Sequence, residues 1–159
     1  MSEYRTGFGW DVHRLVPGRP LLLGGVAVAH ELGLEGHSDA DVLAHALTDA
    51  ILGAAALGDI GMHFPDSDPR WKGCDSLVFL RQARELVEAR GYRIVNVDTT
   101  VVLERPKLKE YREAIRARLA ETLGLTADRV SVKFKTAEKM GPVGEGRSAE
   151  AQAVVTLES

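Results

Sequence analysis

Residues 37–54 read HSDADVLAHALTDAILGA and predict a helix with one broad apolar face. Its apolar side chains recur at the three- and four-residue spacing that places them on one side of a helix. They are Val42, Leu43, Ala46, Leu47, Ala50, Ile51 and Ala54. Ser38 or Asp39 is the expected N-cap and Gly58 the expected stop. A helix of this kind needs a second layer to pack against, so the neighbouring segments decide the fold.

The segments before this helix have the character of strands. Residues 4–16 are extended in pattern, and residues 21–28 are a β-rich apolar run that is broken by Gly24 and Gly25. After the helix, residues 59–73 are rich in Pro, Gly and Asp. Loops of that length usually carry function.

Helices and strands alternate in the remaining chain. A second helix is expected over residues 75–91, with Leu77, Leu80, Ala83, Leu86 and Val87 facing inward. Pro106 is expected to open a third helix that ends at Gly124. Strands are expected at residues 92–103, 130–135 and 153–157, with a glycine-rich loop at 141–146. This order predicts one α/β (α+β-like) domain over residues 1–159, with helices layered on a mixed β-sheet.

Composition excludes several classes of function. The formal net charge is −3 and the pI about 6.0, which argues against nucleic acid as a partner. No apolar run approaches the ~20 residues that span a bilayer, and the first eleven residues lack the apolar core of a secretory signal. The single cysteine, Cys74, excludes an intrachain disulfide. We therefore expect a cytoplasmic protein with no membrane partner.

Asp11 and His13 are the first candidates for metal binding. Side chains two residues apart on a strand point to the same face, so this carboxylate and imidazole converge. Zinc accepts both ligand types. The alternative is an exposed strand end that happens to carry two polar residues.

His45 is the third candidate ligand, on the predicted helix. Asp41 and Asp49 lie four residues before and after it, on the same stripe. Either carboxylate is expected to accept the second ring N–H of His45, a common support for a metal-binding histidine. A polar helix face would show the same spacing. Three ligands from a strand and a helix leave a fourth position open, as in catalytic zinc sites.

Each of two further polar clusters can be interpreted either as a binding site or as ordinary turn or surface residues. The first cluster comprises residues 59–61 and 64–69. Its carboxylates and hydroxyl group either bind a polyol through hydrogen bonds or form turns. Near Thr136 and Glu138 lie several basic side chains, namely Arg105, Lys107, Lys109, Lys133, Lys135 and Lys139. They either hold a phosphate with a bridging Mg²⁺ or form a solvated charge cluster.

Several strings taken together resemble the 2-C-methyl-D-erythritol 2,4-cyclodiphosphate synthase family. They are GFGWDVHRL at 7–15, GGVAV at 24–28, GLEGHSDADVLAHALTDAILGAAALGDIGMHFPDSDP at 33–69, NVDTTVVLERPKL at 96–108 and KTAEKMG at 135–141. The resemblance covers residues 7–157. It implies a homotrimer of α/β subunits with active sites between neighbouring chains.

The resemblance also implies cofactors and residue roles. Zinc is expected on Asp11, His13 and His45, and a second cation, Mg²⁺ or Mn²⁺, on Glu138. His37 and Thr136 match residues that stabilise the transition state. The expected substrate-binding residues are the matches Asp11, Val12, His13, His37, Ser38, Asp59, Ile60, Gly61, Phe64, Pro65, Asp66, Ser67 and Asp68 around the methylerythritol, and Leu103, Glu104, Arg105, Pro106, Lys107, Leu108, Lys109, Lys135, Thr136, Ala137 and Glu138 around the cytidine diphosphate.

The implied activity is that of a lyase in non-mevalonate isoprenoid precursor biosynthesis. In 4-diphosphocytidyl-2-C-methyl-D-erythritol 2-phosphate, the 2-phosphate attacks the β-phosphorus, closes the cyclic diphosphate and expels CMP. Two alternatives stay open. A zinc-dependent phosphohydrolase would use Asp41, Asp49 or Asp66 as a general base. A trimeric isoprenoid-diphosphate-binding module would apply if the loop at residues 142–147, which departs from the family pattern, had replaced catalysis.

Overall fold

The computed structural model describes all 159 residues and contains seven strands, β1 to β7. Their bounds are Tyr4–Pro17, Leu21–Leu23, Val26–Val28, Leu32–Leu34, Arg93–Val102, Val130–Lys135 and Ser148–Glu158. The helices α1 to α5 span Val42–Ala54, Ile60–His63, Leu77–Glu88, Arg112–Leu123 and Gly141–Gly144. Short 3-10 turns lie at Pro69–Trp71, Lys109–Tyr111 and Ala127–Arg129.

Five strands form one mixed sheet in the order β4-β1-β7-β5-β6. All neighbours are antiparallel except β5 and β6, which run parallel. The short strands β2 and β3 form a separate hairpin around Gly24 and Gly25. The predicted single α/β domain with a mixed sheet is confirmed, whereas the strand order comes from the structure alone. No helix combines the length and the apolar character that crossing a membrane requires.

Helix α1 lies against β1 at van der Waals distance from its backbone. Gly7 and Gly9 face the helix, and a Cβ atom added at either would overlap the carbonyl oxygen of Ala50 or Ala46. Alternate residues of a strand share a face, so the next two on this face are Asp11 and His13. The contact therefore brings both side chains to the same helix that carries His45.

The N-cap of α1 is Asp41, not Ser38 or Asp39 as the sequence suggested. Asp41 Oδ1 accepts hydrogen bonds from the backbone N–H of Ala44 at 3.0 Å and of Gly24 at 2.9 Å. Its Oδ2 accepts from the N–H of Gly25 at 2.7 Å. This carboxylate thus ties the β2–β3 hairpin to the start of the helix. Its complete burial raises the pKa of Asp41 to about 6, although the three donors oppose that shift.

Three smaller expectations are also corrected. The helix that was expected to begin at Pro106 is α4, and it begins at Arg112. The reason is that the chain after β5 first follows the edge of β6. There the N–H of Leu103 donates to the carbonyl of Lys135 at 2.9 Å. Leu86, expected to face inward on α3, is exposed. The glycine-rich segment after residue 140 contains the short helix α5.

Substituting Gly9→Ala should lower the free energy of unfolding by about 1–3 kcal/mol or more, because the added methyl group forces α1 away from β1. Urea unfolding followed by circular dichroism measures the change.

Gly53→Ala is the matched control for this substitution. Gly53 lies within α1, and a Cβ atom there would meet no atom closer than 4.0 Å. Alanine should therefore stabilise the helix by roughly 0.5–1 kcal/mol. Equal effects of the two substitutions would contradict the close contact at Gly9.

Candidate active site

The structure brings Asp11, His13 and His45 together, with one ligand atom from each lying within 4.8 Å of the others. Asp11 Oδ2 is 2.8 Å from His13 Nε2 and 3.1 Å from His45 Nδ1. The two imidazole nitrogens are 3.2 Å apart. All three side chains are partly buried. The predicted convergence of two strand residues with one helix residue is therefore realised in space.

The partner of His13 outside the cluster fixes which of its nitrogens carries hydrogen. His13 Nδ1 lies 2.7 Å from the carbonyl oxygen of Glu35. A carbonyl oxygen only accepts, so Nδ1 is the donor and the neutral ring presents the Nε2 lone pair to the cluster. A carboxylate oxygen and an imidazole lone pair that face each other at this distance repel each other unless a proton or a metal ion lies between them.

The pKa values of Asp11 and His13 are shifted in the directions that favour a negative carboxylate beside a positively charged group. Burial opposes ionisation of Asp11, yet hydrogen bonds donated by His13 and His45 outweigh it and bring the pKa of Asp11 to about 2. The two rings donate these bonds only when the nitrogen that faces Asp11 carries a hydrogen. Burial also opposes a charge on His13, but the neighbouring Asp11 carboxylate raises the pKa of His13 overall. A proton or a metal ion satisfies this site, and the two nitrogens and one oxygen are a ligand set that zinc accepts.

The three side chains line a cavity of about 320 Å³. Seven residues expected at the substrate also line it, namely His37, Ser38, Ile60, Gly61, Phe64, Pro65 and Asp66. One wall is aromatic: Phe64 stacks on Phe79 with ring centroids 4.7 Å apart, and Trp71 meets Phe79 edge-on at 5.6 Å. Sequence reasoning missed Trp71 and Phe79, although aromatic residues next to a long loop were a signal available in the sequence.

Asp41 and Asp49 do not support His45 as expected. Both oxygens of Asp41 are bound to backbone N–H groups, and Asp49 Oδ1 accepts from the N–H of Ile60 at 2.7 Å. Burial raises the pKa of Asp49, which does line the cavity. The partners of His45 Nε2 are instead the hydroxyl groups of Ser76 at 2.8 Å and Ser38 at 3.1 Å. Ser76 was not among the residues singled out in the sequence.

Four of the residues expected around the methylerythritol do not line the cavity. Val12 is on the opposite face of β1 from Asp11, and Ser67 lies outside the cavity lining. Asp59 caps α2 by accepting from the N–H of Met62 at 3.0 Å. Asp68 caps a 3-10 turn and pairs with the exposed Arg70. The backbone carbonyl of Asp68 contributes indirectly, because it accepts a hydrogen bond from His37 Nε2 at 3.0 Å.

The two segments expected around the cytidine diphosphate adjoin each other but do not reach this cavity. The N–H of Ala137 donates to Glu104 Oε2 at 3.0 Å, which links residues 103–109 to residues 135–138. Thr136 Oγ1 donates to Glu138 Oε1 at 3.2 Å. None of these residues lines the cavity that holds Asp11. Within one chain, the metal-ligand cluster and this second cluster are separate.

Comparisons with known proteins agree over the whole chain. A model described as the YgbB family matches residues 4–158. A curated 2-C-methyl-D-erythritol 2,4-cyclodiphosphate synthase of Solibacter usitatus is 79% identical over 158 residues, which cover 99% of each chain. That of Laribacter hongkongensis is 58% identical and covers 98% of this chain and 96% of its own. A solved structure of such a synthase in a CDP-bound form has a TM-score of 0.89 at 46% identity, covering 96% of this chain and 99% of its own. The resemblance seen in the sequence is confirmed.

Substituting His45→Ala should abolish stoichiometric zinc binding, since it removes one of the three ligands. Inductively coupled plasma mass spectrometry after dialysis against zinc measures the metal content. His63→Ala is the control, because His63 lies outside the cavity and contacts the carbonyl of Leu57. Full zinc occupancy in the His45 variant would rule out the three-residue site.

Proposed function

The chain belongs to the YgbB family, and we infer from this that it catalyses the reaction for which its relatives are named. It is a lyase that converts 4-diphosphocytidyl-2-C-methyl-D-erythritol 2-phosphate to 2-C-methyl-D-erythritol 2,4-cyclodiphosphate and CMP, a step of isoprenoid biosynthesis. The main structural support for placing the reaction at this cavity is that Asp11, His13 and His45 converge there.

We propose that Asp11, His13 and His45 hold a zinc ion. The donor set of two imidazoles and one carboxylate supports this metal, and three protein ligands leave a position for the substrate. When bound, zinc supplies a Lewis acid that polarises a phosphoryl oxygen of the substrate. The chain itself has a net charge of −3, so cations are needed for it to accept a diphosphate and a phosphate together.

The residues around the cavity position the substrate. The substrate phosphate that attacks has a second pKa of about 6 and is already largely dianionic, so the reaction needs no general base. The hydroxyl group of Ser38 lines the cavity and is placed to donate to a phosphoryl oxygen. His37 Nε2 donates to the carbonyl of Asp68, so its ring would bind a phosphoryl oxygen through Nδ1 when both nitrogens carry hydrogen. Asp66 is placed to accept hydrogen bonds from the hydroxyl groups of the methylerythritol. The aromatic wall limits the access of water that would compete with the 2-phosphate.

We further propose that Thr136 and Glu138 act on the cytidine diphosphate end of the substrate. Glu138 would hold Mg²⁺ or Mn²⁺, a hard cation suited to carboxylate and phosphate oxygens. Thr136 would donate to the diphosphate in the transition state. The backbone of residues 103–109 and 135–138 would surround the nucleotide.

A homotrimer with active sites between subunits accounts for the separation of the two clusters within one chain. A second observation supports self-association: Tyr4, Phe8, Trp10 and Val154 are exposed large apolar side chains on the outer face of β1 and β7. Contiguous exposed apolar surface of this kind typically marks an interaction site. The neighbouring subunit would then supply the nucleotide-binding residues to each metal site.

Product analysis distinguishes this reaction from the two alternatives. Incubation of the protein with the diphosphocytidyl substrate and Mg²⁺ should release CMP and the cyclic diphosphate in equal amounts. ³¹P nuclear magnetic resonance identifies and quantifies both products. Linear phosphates in place of the cyclic product would indicate a zinc-dependent phosphohydrolase, with Asp49 or Asp66 as the base because Asp41 is buried away from the cavity. Binding without turnover would indicate an isoprenoid-diphosphate-binding module.

Mixing two inactive variants tests the shared site. His45→Ala and Glu138→Gln subunits, unfolded together in equal amounts and reassembled, should regain about a quarter of wild-type activity. About three quarters of randomly assembled trimers contain both variants. Each of these trimers has one site of three in which an intact metal cluster faces an intact Glu138, so about a quarter of all sites are complete. Native mass spectrometry checks that mixed trimers form. Activity no higher than that of the separate variants, with mixed trimers present, would contradict a site between subunits.

A further inference from the structure

Ser76 and Asp39 form a partly buried hydrogen-bonded pair beside Asp11, His13 and His45. Ser76 is the residue before α3 and is fully buried. Its backbone N–H donates to Asp39 Oδ2 at 3.0 Å, and its hydroxyl group makes a short hydrogen bond with Asp39 Oδ1. Ser76 is the residue at the N-cap of α3, but its side chain makes no cap hydrogen bond. Its hydroxyl oxygen lies instead 2.8 Å from His45 Nε2 and 3.4 Å from Ser38 Oγ.

The direction of these hydrogen bonds follows from what each group can donate. An ionised carboxylate only accepts, so the hydroxyl hydrogen of Ser76 is directed to Asp39. The Ser76 oxygen then has only lone pairs left for its other neighbours, of which His45 Nε2, 2.8 Å away, is closer than Ser38 Oγ at 3.4 Å. His45 Nε2 therefore carries the hydrogen, and the neutral ring presents its Nδ1 lone pair to Asp11 and His13.

We propose that Ser76, backed by Asp39, is a positioning residue that fixes the tautomer and orientation of His45 for metal binding through Nδ1. The inference rests on the proposed metal at Asp11, His13 and His45. A carboxylate behind a hydroxyl group makes that hydroxyl oxygen a stronger acceptor, which increases the basicity of the ligating nitrogen. Ser76 acts through His45 and does not touch the reacting atoms.

Ser38 is the competing partner of His45, and its geometry is weaker. Its hydroxyl oxygen is 3.1 Å from His45 Nε2 and also accepts from the N–H of Ala40 at 3.2 Å. Nε2 has a single hydrogen, and the closer Ser76 oxygen is the one supported by a carboxylate. Ser38 also lines the cavity, and its hydroxyl group can donate either to Ser76 Oγ, 3.4 Å away, or to a bound substrate.

Zinc affinity measured by competition with a chromogenic chelator tests the proposal without reference to turnover. Ser76→Ala should weaken zinc binding by about 10–100-fold, the usual cost of losing such a partner. Ser76→Thr keeps the hydroxyl group and should restore most of the affinity. Ser38→Ala is the matched control and should leave the affinity close to that of the wild type. Equal losses in the two alanine variants, or no loss in Ser76→Ala, would overturn the assignment to Ser76.

A measurement on the wild-type protein keeps the proposal testable even if Ser76→Ala does not fold. Long-range ¹H–¹⁵N nuclear magnetic resonance, recorded about two pH units above the ordinary pKa of histidine, reports which nitrogen of His45 carries hydrogen. The hydrogen should be on Nε2, and its presence on Nδ1 would overturn the proposal. If the wild type binds no zinc, the proposed metal function fails, whereas the tautomer of metal-free His45 still decides whether Ser76 acts as inferred.

Discussion

The close backbone contact between β1 and α1 is the constraint on which the site depends. Gly7 and Gly9 allow the helix to lie directly on the strand, where any side chain would overlap its carbonyl oxygens. The same strand face continues with Asp11 and His13, and the facing helix carries His45. Because the helix is held at backbone distance, these three short side chains meet without long, flexible arms. A rigid site of this kind loses little conformational entropy when it binds a cation.

The polar residues immediately before α1 divide structural and functional tasks by burial. Asp41 is fully buried, caps α1 and holds the β2–β3 hairpin, so its carboxylate serves the fold. Asp39 faces Ser76 and acts on the site through His45. His37 and Ser38 reach the cavity itself. The four polar residues between positions 37 and 41 thus differ in role because their side chains differ in burial and in the partners they face.

The electrostatic problem of this protein is to accept a highly anionic substrate on a chain that is itself negative. The carboxylate of Asp11 adds to that difficulty until a cation neutralises it, and hydrogen bonds with His13 and His45 lower the pKa of Asp11 although burial opposes its ionisation. Glu138 does not line the cavity that holds Asp11, so within one chain these two carboxylates do not repel each other inside a single cavity. Assembly of subunits would bring them together only where substrate and cations lie between them.

The sequence by itself predicted the main strands and helices and the candidate metal ligands Asp11 and His13 from short-range periodicity, and the helical position of His45 together with the family resemblance added His45 to that set. Alternation on a strand puts Asp11 and His13 on one face, and β6 was predicted with the bounds that the structure has. Helical spacing, however, led to Asp41 and Asp49 as partners of His45, and the structure assigns Ser76, which lies 31 residues further along the chain. Strand order, the cap at Asp41 and the aromatic wall were also decided only by tertiary structure. The physical reason is that a hydrogen bond goes to whichever donor or acceptor folding brings within about 3 Å, and sequence separation does not encode that distance.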